Sequence, residues 1–137
     1  MPDSIREQVV AAFATRISAD RALQLDGNSQ LPARTVWDFS EEAERTTYGT
    51  LNLSLGLSVG AMELFDRTKG ASKQANEMLA NLLEDALNDD PTLGGLADRI
   101  NYVESTVDYP QPGQDEIAIL ASFEIAYQTQ ATTPFTQ

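Results

Sequence analysis

From Leu51 to Ala61 an apolar side chain stands at every second position, with Asn52, Ser54, Gly56, Ser58 and Gly60 between them. A helix would scatter Leu51, Leu53, Leu55, Leu57, Val59 and Ala61 around its axis, whereas a strand puts all six on one side of a sheet. The pattern therefore commits this stretch to a half-buried strand. Counting Tyr48 to Phe65 as extended gives about 60 Å at roughly 3.3 Å per residue, which predicts a strand that bulges, bends or projects as an arm. Gly56 and Gly60 are the natural places for a bulge, and their missing side chains equally let another backbone come close.

The neighbouring segments supply partners for that strand. Ile5, Val9, Phe13 and Ile17 recur every fourth residue with Ala12 beside them, and Asp3 or Ser4 can cap, so residues 4–20 read as an amphipathic helix. Asp26 to Ala33 carries loop chemistry. Thr35 to Phe39, with Trp37 at its centre, suits a short strand that pairs with the long one as a hairpin, the acidic stretch Ser40–Thr47 being its loop. Lys69-Gly70 ends the long strand. Ser72 can cap a second helix whose apolar face is Ala75, Met78, Leu79, Leu82, Leu83, Ala86 and Leu87, stopped at Asn88-Asp89-Asp90-Pro91. Thr92 to Asp98 reads as a turn. Ile100–Tyr109 and Glu116–Thr129 read as two further strands joined by the turn-rich Pro110–Asp115, with Ile117, Ile119, Ala121, Phe123, Ile125 and Tyr127 facing inward.

The expected fold class is α+β: one antiparallel sheet of about four strands packed on two main helices, in the order α-β-β-α-β-β, with the two halves free to be pseudo-symmetric. A length of 137 residues fits a single domain over 1–137, with a flexible tail from about residue 130. The apolar stripes of the helices are expected to bury against Leu51, Leu53, Leu55, Ile117, Ile119, Phe123 and Ile125.

Chemistry is narrowed by what the chain lacks. It contains neither cysteine nor histidine, which removes disulfides, Cys/His zinc sites, cysteine nucleophiles and imidazole acid/base catalysis together. No phosphate-binding glycine motif, nucleophile elbow or EF-hand loop occurs. The acidic pieces Glu41-Glu42-Ala43-Glu44, Glu84-Asp85, Asp89-Asp90 and Asp115-Glu116 are readable as solvated surface, as ligands for a hard cation, or as a carboxylate pair for glycoside hydrolysis. Trp37 reads as core or interface anchor rather than sugar platform. No catalytic residue, cofactor or metal is assigned. The longest apolar run near the start, Val9–Ala14, is too short for a membrane span or a signal core, so synthesis in a cytoplasm is expected.

Net charge is −12, unevenly placed: residues 1–73 hold eight bases against ten acids, residues 74–137 only Arg99 against eleven acids. Such a balance opposes nonspecific phosphate binding. The basic first half is expected to lie next to acidic surface of this chain or of a neighbouring copy. If copies close into a ring, Arg16, Arg21, Arg34, Arg45, Arg67, Lys69 and Lys73 are expected toward subunit boundaries or one ring face, with the acids of residues 74–137 facing the channel or the adjacent subunit's bases.

The stretch Asp90-Pro-Thr-Leu-Gly-Gly-Leu-Ala-Asp-Arg, the strand and Tyr-Pro-x-Pro-Gly turn after it, and the closing strand Phe123-Glu-Ile-Ala-Tyr-Gln-Thr129 resemble tail terminator and minor tail proteins of long-tailed bacteriophages. The opening Ile-Arg-Glu-Gln helix, the strand carrying Trp37 and the ending Tyr127-x-Thr129 to Thr133-Pro134-Phe135 are similar to that family as well. The resemblance implies a virion structural protein at the tail–neck junction, a subunit of a homohexameric ring that caps the tail tube, stops its polymerisation and forms the joining surface for the head connector or stopper. Its implied partners are further copies of itself, the major tail tube protein and that connector, without specific nucleic-acid or membrane binding. Subunit contacts are then expected among Arg34, Trp37, Arg45, Tyr48, Gly56, Arg67, Lys69, Lys73, Tyr109 and Phe135. A neck or head–tail completion protein of related fold is the nearest alternative; a small carboxylate-based hydrolase and an acidic inhibitor mimicking nucleic acid are more distant ones.

Overall fold

The computed structural model describes residues 3–21, 31–88 and 90–137. Most of the loop expected from Asp26 onward, and Asp89 of the helix-stop turn, lie outside those residues. The order is α1 (Ile5–Arg16), β1 (Ala33–Arg45), β2 (Thr50–Leu64), α2 (Ala71–Leu87), β3 (Arg99–Asp108) and β4 (Glu116–Gln130). All neighbouring strands are antiparallel, in the spatial order β1-β2-β4-β3, so each half contributes one hairpin and the two long inner strands join them.

Helix α1 begins where Ser4 Oγ accepts the Glu7 amide at 3.1 Å. It ends four residues earlier than its apolar period suggests. Ser18 takes a left-handed conformation (φ 55°), with Ser18 N donating to Thr15 O and Ala19 N to Ala14 O, a Schellman closure. The chain then leaves the helix because Asp20 pairs with the edge of β1, donating to Arg34 O and accepting from Val36 N at 2.9 and 2.8 Å. Helix α2 is capped at Gly70 without a side-chain bond rather than by Ser72. Its first turn is tied down instead by Gln74, a buried side chain that accepts the Asp66 amide and donates to Leu64 O, both at 2.8 Å.

The acidic stretch after Phe39 is not a loop. Strand β1 continues through it to Arg45, so only Thr46–Gly49 connects the first hairpin. The sequence reading failed there because Glu41-Glu42-Ala43-Glu44 shows no apolar alternation, yet its backbone bonds are satisfied by pairing Glu41 to Leu55 and Ala43 to Leu53. The bulge also falls elsewhere than expected. It sits on β1 between Asp38 and Ser40, and a second lies on β3 between Tyr102 and Glu104, while Gly56 and Gly60 stay in unbroken register with Glu124 and Leu120. Nor does β2 project as an arm, since β4 matches it residue for residue from Thr50↔Gln130 to Leu64↔Glu116.

The core lies between the helices and one face of the sheet. Ile5, Val9, Phe13 and Ile17 of the first helical segment and Met78 and Leu82 of α2 are buried against Leu53, Leu55, Leu57, Ile117, Ile119, Phe123 and Ile125; Leu51, Leu79 and Leu83 are only partly buried at its margin. Phe13 and Phe123 meet at a ring-centroid distance of 5.4 Å and an interplanar angle of 59°, and Tyr102 closes on Phe123 at 5.9 Å.

Candidate interaction surfaces

The ten residues expected at contacts do not form one patch. Arg45, Tyr48 and Phe135 come together at one end of the sheet. That end is assembled from four separate chain segments: Ala131 N donates to Gly49 O at 2.8 Å, Ile5 N to Pro134 O at 2.8 Å, and Gln137 Nε2 to Leu96 O at 2.8 Å. The residues read as a tail from 130 onward turn back onto the body, with Gln130 N bonded to Thr136 O. Tyr48 at the hairpin tip is 91% exposed, an arrangement that no intrachain packing requires.

Arg67, Lys69, Lys73 and Tyr109 lie toward the opposite end, where Phe65 N meets Asp115 O at 2.7 Å. Arg67 covers the Phe65 ring and faces Asp115 at 3.6 Å, and Lys69 bonds Glu77 at 2.8 Å. Arg34 is half-buried on the helix side, donating to Ile17 O and Asp85. Arg21 pairs with Glu7. Arg16 donates to Ala86 O at 3.0 Å. Of these cations, Arg21, Arg34, Arg67 and Lys69 each meet a carboxylate of their own chain. Sequence distance hid this, because the partners lie 14, 51, 48 and 8 positions away.

One polar cluster is built into the helix side of the sheet. Arg6 holds Asp38 at 2.5 Å and Glu41 at 3.6 Å, and Tyr127, whose ring is buried, donates its hydroxyl to Glu41. The bulge brings this cluster together: without the extra residue at Phe39, Glu41 would point to the other face. The hydrogen bond from Arg6 pulls Asp38 below the ordinary carboxylate range, and burial, then the bond to Glu41, pushes Tyr127 up. A general acid needs a carboxyl shifted upward, so Asp38 is tuned in the opposite direction to that role. A structural function has a direct test. Asp38 adds stability above its unfolded pKa of about 3.9, and that contribution is lost as pH falls through its lower folded value. Thermal melts between about pH 5 and pH 2 should show Asp38→Asn already weakened at the upper end and less steep in its decline than the wild type; parallel curves would refute the assignment. Tyr127→Phe should cost about 1–2 kcal/mol, since it leaves Glu41 short of a donor.

The second face of the sheet carries no helix among the described residues. Its cross-strand rows run Thr35–Gly60–Leu120–Thr106, Trp37–Ser58–Ser122–Glu104, Ser40–Gly56–Glu124–Asn101 and Glu42–Ser54–Ala126–Arg99. The two inner strands thus present mainly small residues and the two outer strands larger ones, which makes a trough. Trp37 leans over Gly60, and Phe39, the bulged residue, lies over Gly56: a β-carbon there would stand 2.8 Å from its ring and 2.7 Å from Ser40 Oγ. Gly56 and Trp37 therefore belong to this face. Among the described residues, no group of three or more acids is placed to hold a metal ion, and no helix is long and apolar enough to cross a membrane. No model of a known protein family matches the chain, and no curated protein is similar to it.

Proposed function

We propose that the protein is a structural, self-assembling subunit of the tail-terminator type: a ring-forming virion protein at the tail–neck junction of a long-tailed bacteriophage that caps the tail tube and meets the head connector. The observation that carries the reading is the composite end of the sheet. Segments that bear the resemblance, the Asp90–Arg99 turn, the opening helix and the Thr133-Pro134-Phe135 ending, converge there beside the exposed hairpin tip. An end built from four segments and carrying exposed Tyr48 and Phe135 suits stacking on another ring. The Asp90 side chain braces this end, accepting from the amides of Thr92 and Gly94 at 2.9 Å each.

Deleting the gene from its phage is the decisive experiment. Tubes of uncontrolled length beside DNA-filled, unattached heads are expected, and normal tails would overturn the reading. In solution, closure of copies at −12 each is opposed by like charge, and the internal pairing of most bases leaves little to offset it. Sedimentation from about 50 to 500 mM salt should therefore show assembly strengthening as the screening length shrinks. Assembly that weakens with salt would mean attractive pairing across the boundary instead.

A further inference from the structure

We propose that the open face of the sheet is a docking trough for a basic amphipathic helix of another protein. The face is three strand spacings wide between the backbones of its rims, β1 and β3, about 14 Å, and about 33 Å long over β2 from Asn52 to Met62; a helix about 10–12 Å across laid on it would rest beside the Trp37 and Phe39 rings, which lean over Gly60 and Gly56. The floor is small and the walls apolar at one end, where a hollow of about 310 Å³ is lined by Trp37, Gly60, Met62, Thr106 and Leu120. Leu120 is 41% exposed and Val103 55%, apolar surface that an apolar stripe on a partner would cover.

Two observations identify the occupant. Alternation along the strands places Glu42, Glu44, Glu104, Asp108, Glu116 and Glu124 on this face against Arg99 alone, so two such faces repel, and a second copy cannot cover it sheet to sheet. On the helix side of a second copy, Arg6, Arg21 and Arg34 are already paired with that copy's own acids. Ser58, in the centre of the floor, is buried to nine-tenths, yet its hydroxyl makes no hydrogen bond to any described residue. Among the described residues no fully enclosed side-chain atom is left without a partner, so that hydroxyl is reached from the open face. Acidic rims, an apolar floor and one free hydroxyl fit a helix with a narrow apolar stripe flanked by Lys and Arg.

Trp37 is the chain's single tryptophan and reports from the trough wall. Titrating the protein with a roughly 18-residue helical Leu/Lys peptide, about 27 Å long, should shift Trp37 emission saturably, while a Leu/Glu peptide of the same pattern should not. Glu42→Lys/Glu104→Lys, two exposed changes on opposite rims, should weaken the Leu/Lys peptide about tenfold or more, and Ser58→Phe should do the same by filling the floor. Asp3→Lys/Glu84→Lys carries the same change in net charge away from the trough and should bind as the wild type does. The proposal is overturned if Trp37 emission does not respond, if the Leu/Glu peptide binds equally, or if the remote double variant loses as much affinity as the rim variant. Should Ser58→Phe unfold, the rim variant carries the test alone. Ring assembly is read by sedimentation and trough occupancy by fluorescence, so either idea can fail without the other.

Discussion

Phe123→Ala should lower the unfolding free energy by about 3–5 kcal/mol, a drop of about 10–20 °C in melting temperature for a chain of this size. Phe123 is 1% exposed and stands where the two halves meet. It pairs with Leu57 of β2 and Tyr102 of β3, and its ring packs on Phe13 of α1. Removing it leaves a void bordered by a helix and three strands, none of which can close on it without losing register elsewhere. Differential scanning calorimetry or urea melts read the loss, and an unchanged transition would mean the buried face has been misassigned.

The second large effect is expected at a polar residue. Gln74→Met keeps nearly the same length and volume but should cost about 2–4 kcal/mol, because the Asp66 amide and the Leu64 carbonyl each lose a bond of 2.8 Å beneath α2. Leu79→Met, at a half-buried position of the same helix, should cost less than about 1.5 kcal/mol. Equal losses at the two positions would show that volume, rather than hydrogen bonding, governs Gln74. Urea titration separates them, since neither change should alter the surface exposed on unfolding and therefore the slope.

The two residues differ in how far they could be foreseen. Phe123 sits in an alternating run whose burial follows from its period of two, and the structure places it in the core as that run requires. Gln74 lies in a helix whose apolar stripe was legible, but nothing local distinguishes it from any other polar helical residue. Its importance comes from the end of β2, ten positions earlier. Ser72 was the better capping residue by type, yet the chain turns at Gly70, whose φ of 85° few other residues adopt, and helical bonding starts there.

The candidate surfaces divide in the same way. Tyr48, Arg45 and Phe135 were nameable as exposed and chemically distinctive, but only the return of the C-terminal segment to Gly49, Ile5 and Leu96 puts them on one end. Gly56 was singled out as a bulge site; in the structure the bulge lies across from it at Phe39, and the glycine is the space into which that ring lies down. The cluster of Arg6, Asp38, Glu41 and Tyr127 was invisible from spacing, because one inserted residue changes which face Glu41 occupies.

Periodicity acts over a few residues and reports which side of an element meets water, so element order, the antiparallel α+β class and most of the core were determined by the sequence alone. Where β1 ends, which strand bulges, which carboxylates Arg6, Arg21, Arg34 and Arg67 meet and which sheet face stays bare are settled by partners far along the chain. For those features the local signal is weak, and the free energy that decides them comes from backbone hydrogen bonds and charges brought together only when the sheet closes.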